Sequence, residues 1–116
     1  ALDRHLKIAR DAGFGDVIRF EQADATSLPY TDRSFDIVIS YGALHHIPIE
    51  LRERFIEECF RVAKERLCVV EYRPNTFPHD DHEVVDPSRL ERSLASLGRL
   101  EIRRGVELDL HSVRRR

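Results

Sequence analysis

The sequence predicts an α/β fold built on a mainly parallel sheet that ends in a C-terminal antiparallel hairpin. Two short, continuous apolar runs at 35–40 and 67–72 suit strands buried on both faces, as parallel sheets bury them. Between and after them lie stretches of helical period. A final alternating segment, broken near Gly105, suits a hairpin with one wet face.

In chain order, Leu2, Leu6 and Ala9, with Ile8 beside them, set an amphipathic helix from about Ala1 to Ala12 that stops at Gly13. Val17-Ile18-Arg19-Phe20-Glu21 reads as a short strand by its β-branched and aromatic content. A polar stretch from Asp24 to Ser34 follows, with Pro29 and Asp32 as turn formers. Phe35 to Ser40 forms the first buried-type strand, and Asp36 at its start is expected to order the preceding loop. Pro48 opens a helix whose stripe is Leu51, Phe55, Cys59 and Val62. Leu67 to Tyr72 is the next strand. After a Pro-, His- and Asp-rich loop, Asp86 and Ser88 compete to cap a helix over Pro87–Leu97, closed by Gly98. The hairpin strands center on Leu100–Ile102 and Val106–Leu110, and the Arg114-Arg115-Arg116 tail is expected to be solvated.

With 116 residues, 41% hydrophobic and 34% charged, the chain suits one small globular domain. A formal charge of −2 argues against a nucleic-acid module. No apolar run approaches the ~18 residues of a membrane span. Cys59 and Cys68 offer no CxxC pair and lie on apolar faces, so they read as buried hydrophobes of a reduced, cytoplasmic protein. Starting at Ala1 without any methionine and directly in helical periodicity, the sequence reads as a piece of a longer protein.

In open parallel sheets ligands gather at the carboxyl ends of strands, here Asp24-Ala25, Ser40-Tyr41-Gly42 and Tyr72-Arg73. The run Asp24-Ala25-Thr26-Ser27-Leu28-Pro29-Tyr30, then Ser34-Phe35-Asp36-Ile37-Val38-Ile39-Ser40 and Leu44-His45-His46, resembles the middle of the class I S-adenosylmethionine-dependent methyltransferases (methyltransferase type 11-like domain). The resemblance spans roughly Ala1 to Tyr72. It implies a Rossmann-like three-layer sandwich, with residues 1–116 forming the C-terminal two-thirds of the domain. The family's glycine-rich loop, the acid that grips the ribose and the Pro-Gly-Gly turn before the fifth strand have no counterpart here. Two family strands fall between the Val17 strand and the Phe35 strand, so completing the sheet requires those N-terminal strands or a partner chain.

By the same resemblance, S-adenosyl-L-methionine is the cofactor and Asp24 with the Ala25 backbone N–H recognises its adenine. The alternative for Asp24 is an acid that opens a turn. Ser40 and Tyr41 either line the cofactor pocket or only shape a turn. His45 and His46 face the acceptor side, with three roles open: packing, contact with substrate, or, for His46, catalysis as a general base. His79-Asp80-Asp81-His82-Glu83 fits no usual zinc spacing and reads as a solvated loop, so no metal is expected. The implied activity is methyl transfer to a small-molecule acceptor. The competing function is a catalytically silent module that binds a partner protein, and a nucleic-acid acceptor is a third reading.

Overall fold

The computed structural model describes residues 2–19, 21–74 and 84–116. Helix α1 covers Leu2–Asp11, with Asp3 in its first turn and Arg10 in its last, as the helix dipole favours. Gly13, at φ +86°, follows its end. Strand β1 is Phe35–Tyr41, and short 3-10 turns at Leu44–His46 and Ile49–Leu51 lead into helix α2, Arg52–Val62. The helix predicted from Pro48 therefore begins as a 3-10 turn. The Arg52 guanidinium holds that entry by donating to the Ile47 carbonyl at 2.9 Å.

Strand β2 runs over Ala63–Tyr72, four residues earlier in its start than predicted. Helix α3 occupies Pro87–Leu97, and Asp86 wins the capping competition by accepting from the Ser88 N–H at 3.1 Å. Strands β3, Arg99–Arg104, and β4, Leu108–Arg114, form a hairpin as predicted, but β4 starts two residues later and runs four further than expected. It buries Asp109, His111 and Val113 where the alternation pointed to Val106, Leu108 and Leu110, and Val106 is 87% exposed. The sheet order is β1-β2-β4-β3, with β1 and β2 parallel and the other two ladders antiparallel. The α/β, Rossmann-like class holds, and the sheet in this chain is mixed.

Register assigns the two faces. Val38 and Ser40 lie level with Leu67 and Val69, and those with Val113 and His111. This face is covered by α2 and α3, and Leu67, Val69, Leu94 and Val113 are fully buried there. Each such side chain contributes about 1.5–3 kcal/mol of burial. The opposite face of β1 carries Ile37, Ile39 and Tyr41, with Ile39 67% and Tyr41 64% exposed. The expectation that this strand is covered on both sides is thus met on one side only, and β1 is an edge strand. Two layers of the expected sandwich are formed by the described residues.

Three further expectations are corrected. Residues 17–19 and 21–24 form no strand. The N–H groups of Val17 and Ile18 both donate to the Phe14 carbonyl, at 3.1 and 2.9 Å, so a turn after α1 claims them, and Val17 stays 77% exposed. The arginine tail is not merely solvated: Arg115 donates to the carbonyls of Phe60 at 2.6 Å and Ala63 at 2.9 Å and lies 4.3 Å over the Phe60 ring, satisfying the carboxyl end of α2. The loop before β1 is ordered from α2, by Glu58 and Arg61, where the sequence pointed to Asp36.

Candidate functional site

The predicted adenine loop is strapped along α2. Arg61 donates to the carbonyls of Tyr30 at 2.8 Å and Leu28 at 3.1 Å and pairs with Asp32 at 2.8 Å. Glu58 accepts the Leu28 N–H at 2.8 Å and pairs with Arg61 at 2.7 Å. Its hydrogen bond from Arg61, reinforced by the Leu28 N–H, pulls the Glu58 carboxyl down to about 2. Arg54 donates to the Thr26 carbonyl at 3.0 Å. Tyr30 meets Phe35 edge-on at 5.0 Å between ring centroids and donates its hydroxyl to Glu21.

At the start of this loop, Asp24 Oδ1 accepts from the Thr26 hydroxyl at 2.7 Å and the Thr26 N–H at 2.9 Å. These bonds, the hydroxyl first, hold the exposed Asp24 carboxyl below its ordinary value. The turn role is therefore present. It uses one oxygen and leaves Asp24 ionised, an acceptor with lone pairs to spare. Ala25 is half-buried and packs on the core, which fixes its backbone. An anionic acceptor beside a fixed N–H matches an amino-purine edge, which presents a donor next to a ring-nitrogen acceptor. The adenine end of S-adenosylmethionine thus fits the residues present. For its methionine end the chain supplies no glycine-rich loop.

The carboxyl end of β1 forms the second part. Ser40 is buried beneath α2 and its Oγ has no hydrogen-bond partner among the described residues, whereas Tyr41 points to the opposite, exposed face. Their side chains therefore do not share one pocket wall. Gly42 turns the chain at φ +60°, a conformation L side chains rarely adopt, and donates its N–H to the Val70 carbonyl at 2.9 Å.

The two histidines are separated by environment. His45 is 4% exposed. Its Nδ1 lies 3.1 Å from Glu71 Oε2, while Glu71 Oε1 accepts the Leu44 N–H at 2.7 Å. Burial fits the packing role for His45. His46 is exposed, its ring 4.1 Å from that of His45, and is the one of the pair able to meet a molecule from solvent.

Sequence reasoning singled out neither Glu71 nor the Glu58–Arg61 strap. An acid ending a buried-type strand was the available signal for Glu71. Among the described residues no cluster of three His, Cys, Asp or Glu side chains could hold a metal, and the 79–83 segment lies outside them. Arg104 pairs with Glu91 at 2.7 Å and with Asp109 at 3.0 Å. A cavity of about 80 Å³ between α2 and α3 is lined by Leu44, Ile56, Val85 and Leu90 among others. It includes none of the predicted site residues and is far below the ~300 Å³ at which small-molecule pockets begin. No helix among the described residues is long and apolar enough to cross a membrane.

Norajmaline N-methyltransferase of Rauvolfia serpentina is 38% identical over 56 residues, which is 48% of this chain and 18% of that protein. The chain spans about a fifth of the length of the curated relatives it matches. A S-adenosylmethionine-dependent methyltransferase from Aquifex aeolicus superposes with a TM-score of 0.73 at 16% identity, covering 97% of this chain and 62% of that one. The [4+2]-cyclase SpnF does so with a TM-score of 0.76 at 19% identity, covering 98% and 62%. At such identities these structures establish the fold. The methyltransferase domain family matches residues 2–66, more than half of the sequence, and the chain belongs to that family.

Proposed function

We propose that this chain is the C-terminal two-thirds of a class I methyltransferase domain that moves a methyl group from S-adenosyl-L-methionine to a small-molecule acceptor in the cytoplasm. The observation that carries this reading is the Asp24–Ala25 pair. An ionised carboxylate stands next to the backbone of core-packed Ala25 at the start of the loop strapped to α2. Ser40 and Tyr41 border the cofactor through the turn at Gly42, and His46 faces the acceptor. Family membership and the fold of the Aquifex aeolicus enzyme support the cofactor. The open edge of β1, beside a face that leaves Ile37, Ile39 and Tyr41 exposed, is where the strands of a longer chain or of a partner complete the sheet and bring the methionine-binding loop.

The bound sulfonium supplies an electrophilic methyl. The protein's part is then alignment, which dominates an in-line displacement. Calorimetric titration with S-adenosylhomocysteine, using the longest polypeptide the gene encodes, tests the reading. Asp24→Asn keeps an oxygen for Thr26 and removes the anionic acceptor, so it weakens binding by about tenfold without lowering Tm. A folded wild-type protein that binds no S-adenosylhomocysteine favours instead the silent, partner-binding module, to which the open β1 edge is suited.

A further inference from the structure

We infer that Glu71 is the positioning residue of the acceptor side, setting the His45 tautomer and through it the place of His46. The inference deepens the proposed function and rests on that reading for its meaning in catalysis. Glu71 is the penultimate residue of β2, on the face covered by α2, and is 3% exposed. Its two oxygens are divided: Oε1 takes the Leu44 N–H at 2.7 Å and Oε2 faces His45 Nδ1 at 3.1 Å. Both groups belong to the 3-10 turn Leu44–His46, which no side-chain cap secures at its start. The carboxylate does that work from the neighbouring strand, 27 residues away in sequence for Leu44.

The consequence for His45 is chemical. An ionised carboxylate only accepts, so the proton of a neutral imidazole sits on Nδ1 and the lone pair on Nε2. The ring is then walled on two sides. Tyr72 meets it edge-on at 6.0 Å between centroids. The Gly42 turn borders it as well: a Cβ added there would stand in ordinary contact, 3.9 Å from both His45 Cε1 and Tyr72 Cε2. A ring fixed in this way is the platform on which His46 lies at 4.1 Å. Across the ladder from Glu71 stands the buried carboxylate of Asp109, whose Oδ2 pairs with Arg104 at 3.0 Å and whose Oδ1 lies 3.9 Å from the Arg73 guanidinium. Glu71 therefore faces a compensated acid and directs its bonding to the turn.

Glu71→Gln is the informative change because it keeps the shape. Its single amide oxygen is required by the Leu44 N–H, which leaves the NH₂ against His45 Nδ1. Nδ1 must then accept, and the proton moves to Nε2. Nitrogen-15 NMR of the imidazoles on the full gene product reads this without any cofactor. The expected result is a protonated Nδ1 in the wild type and a protonated Nε2 in Glu71→Gln, with His46 resonances displaced. Glu71→Asp, too short to span both groups, is expected to release the Leu44 amide to exchange about tenfold faster. An unchanged His45 tautomer, or His46 resonances that do not move in Glu71→Gln, overturns the positioning role. S-adenosylhomocysteine affinity, measured on the same samples, judges the other reading: its absence in the wild type sinks the methyltransferase site, while the tautomer result still decides Glu71.

Discussion

Gly98 is expected to tolerate no side chain at all, for a reason the backbone dihedrals alone do not give. At φ −176° it is extended and unstrained, but a Cβ built on it would lie 2.0 Å from the Arg114 carbonyl oxygen and 2.9 Å from its carbon. That is about 1.4 Å short of the 3.4 Å at which ordinary contact begins. The obstacle is the backbone of β4, which cannot swing aside as a flexible side chain would. Gly98→Ala must therefore push the start of β3 off β4 and break the Arg99–Arg114 pairing. Overpacking of this kind costs about 1–3 kcal/mol, and a lost ladder hydrogen bond adds about 1 kcal/mol. The expected total is ~2–4 kcal/mol, which for a chain of this size lowers Tm by roughly 10 °C. Circular dichroism melts measure this directly, and amide exchange should show the loss of protection concentrated at Arg99–Glu101. A Gly98→Ala protein whose stability stays within about 0.5 kcal/mol of wild type would refute the packing argument.

Other outcomes follow from the electrostatics. The Arg61 guanidinium and the Leu28 N–H depress the Glu58 carboxyl to about 2 in the folded chain from its ordinary value of 4.5. Its contribution to stability is complete above 4.5 and is lost as pH falls toward 2. The Leu28 amide shift of the folded protein should inflect near 2 and cease to titrate in Glu58→Gln; an inflection near 4.5 in the wild type would contradict the strap. Burial, aided by Glu58, pushes the Cys59 thiol up to about 11. Iodoacetamide at pH 8 should therefore modify Cys59 at least about tenfold more slowly than half-buried Cys68, and equal rates by mass spectrometry would contradict the burial.

Much of this fold was legible because it is written in local periods. The α3 boundaries followed from the Asp86 cap and the Gly98 stop, whereas alternation gave the hairpin but the wrong face of its second strand, because Asp109 and His111 find buried partners beside Val113. The Val17 segment was misread because a strand is a pairing as well as a composition: with the turn at Phe14 taking its N–H groups, β-branched residues alone do not make one. The open face of β1 was hidden for a related reason. An apolar run records what the family fold covers, and in this chain α2 and α3 cover only one side. The proposed site at Asp24, Ala25 and the β1 end rests on a resemblance in sequence. Glu71, Glu58 and Arg61 were not legible, since each acts across 26 to 33 residues and no spacing rule connects them. His45 and His46 are adjacent in sequence, and only their burial separates a held ring from an exposed one.

The most direct measurement is a map of amide shifts as S-adenosylhomocysteine is added to the full gene product. The account predicts that the Ala25 N–H moves most, with Asp24, Thr26 and the Gly42 turn beside it, and that residues of the α2–α3 cavity stay still. Saturable binding that leaves Ala25 unmoved, or that shifts only the cavity between α2 and α3, would contradict the placement of a purine at Asp24.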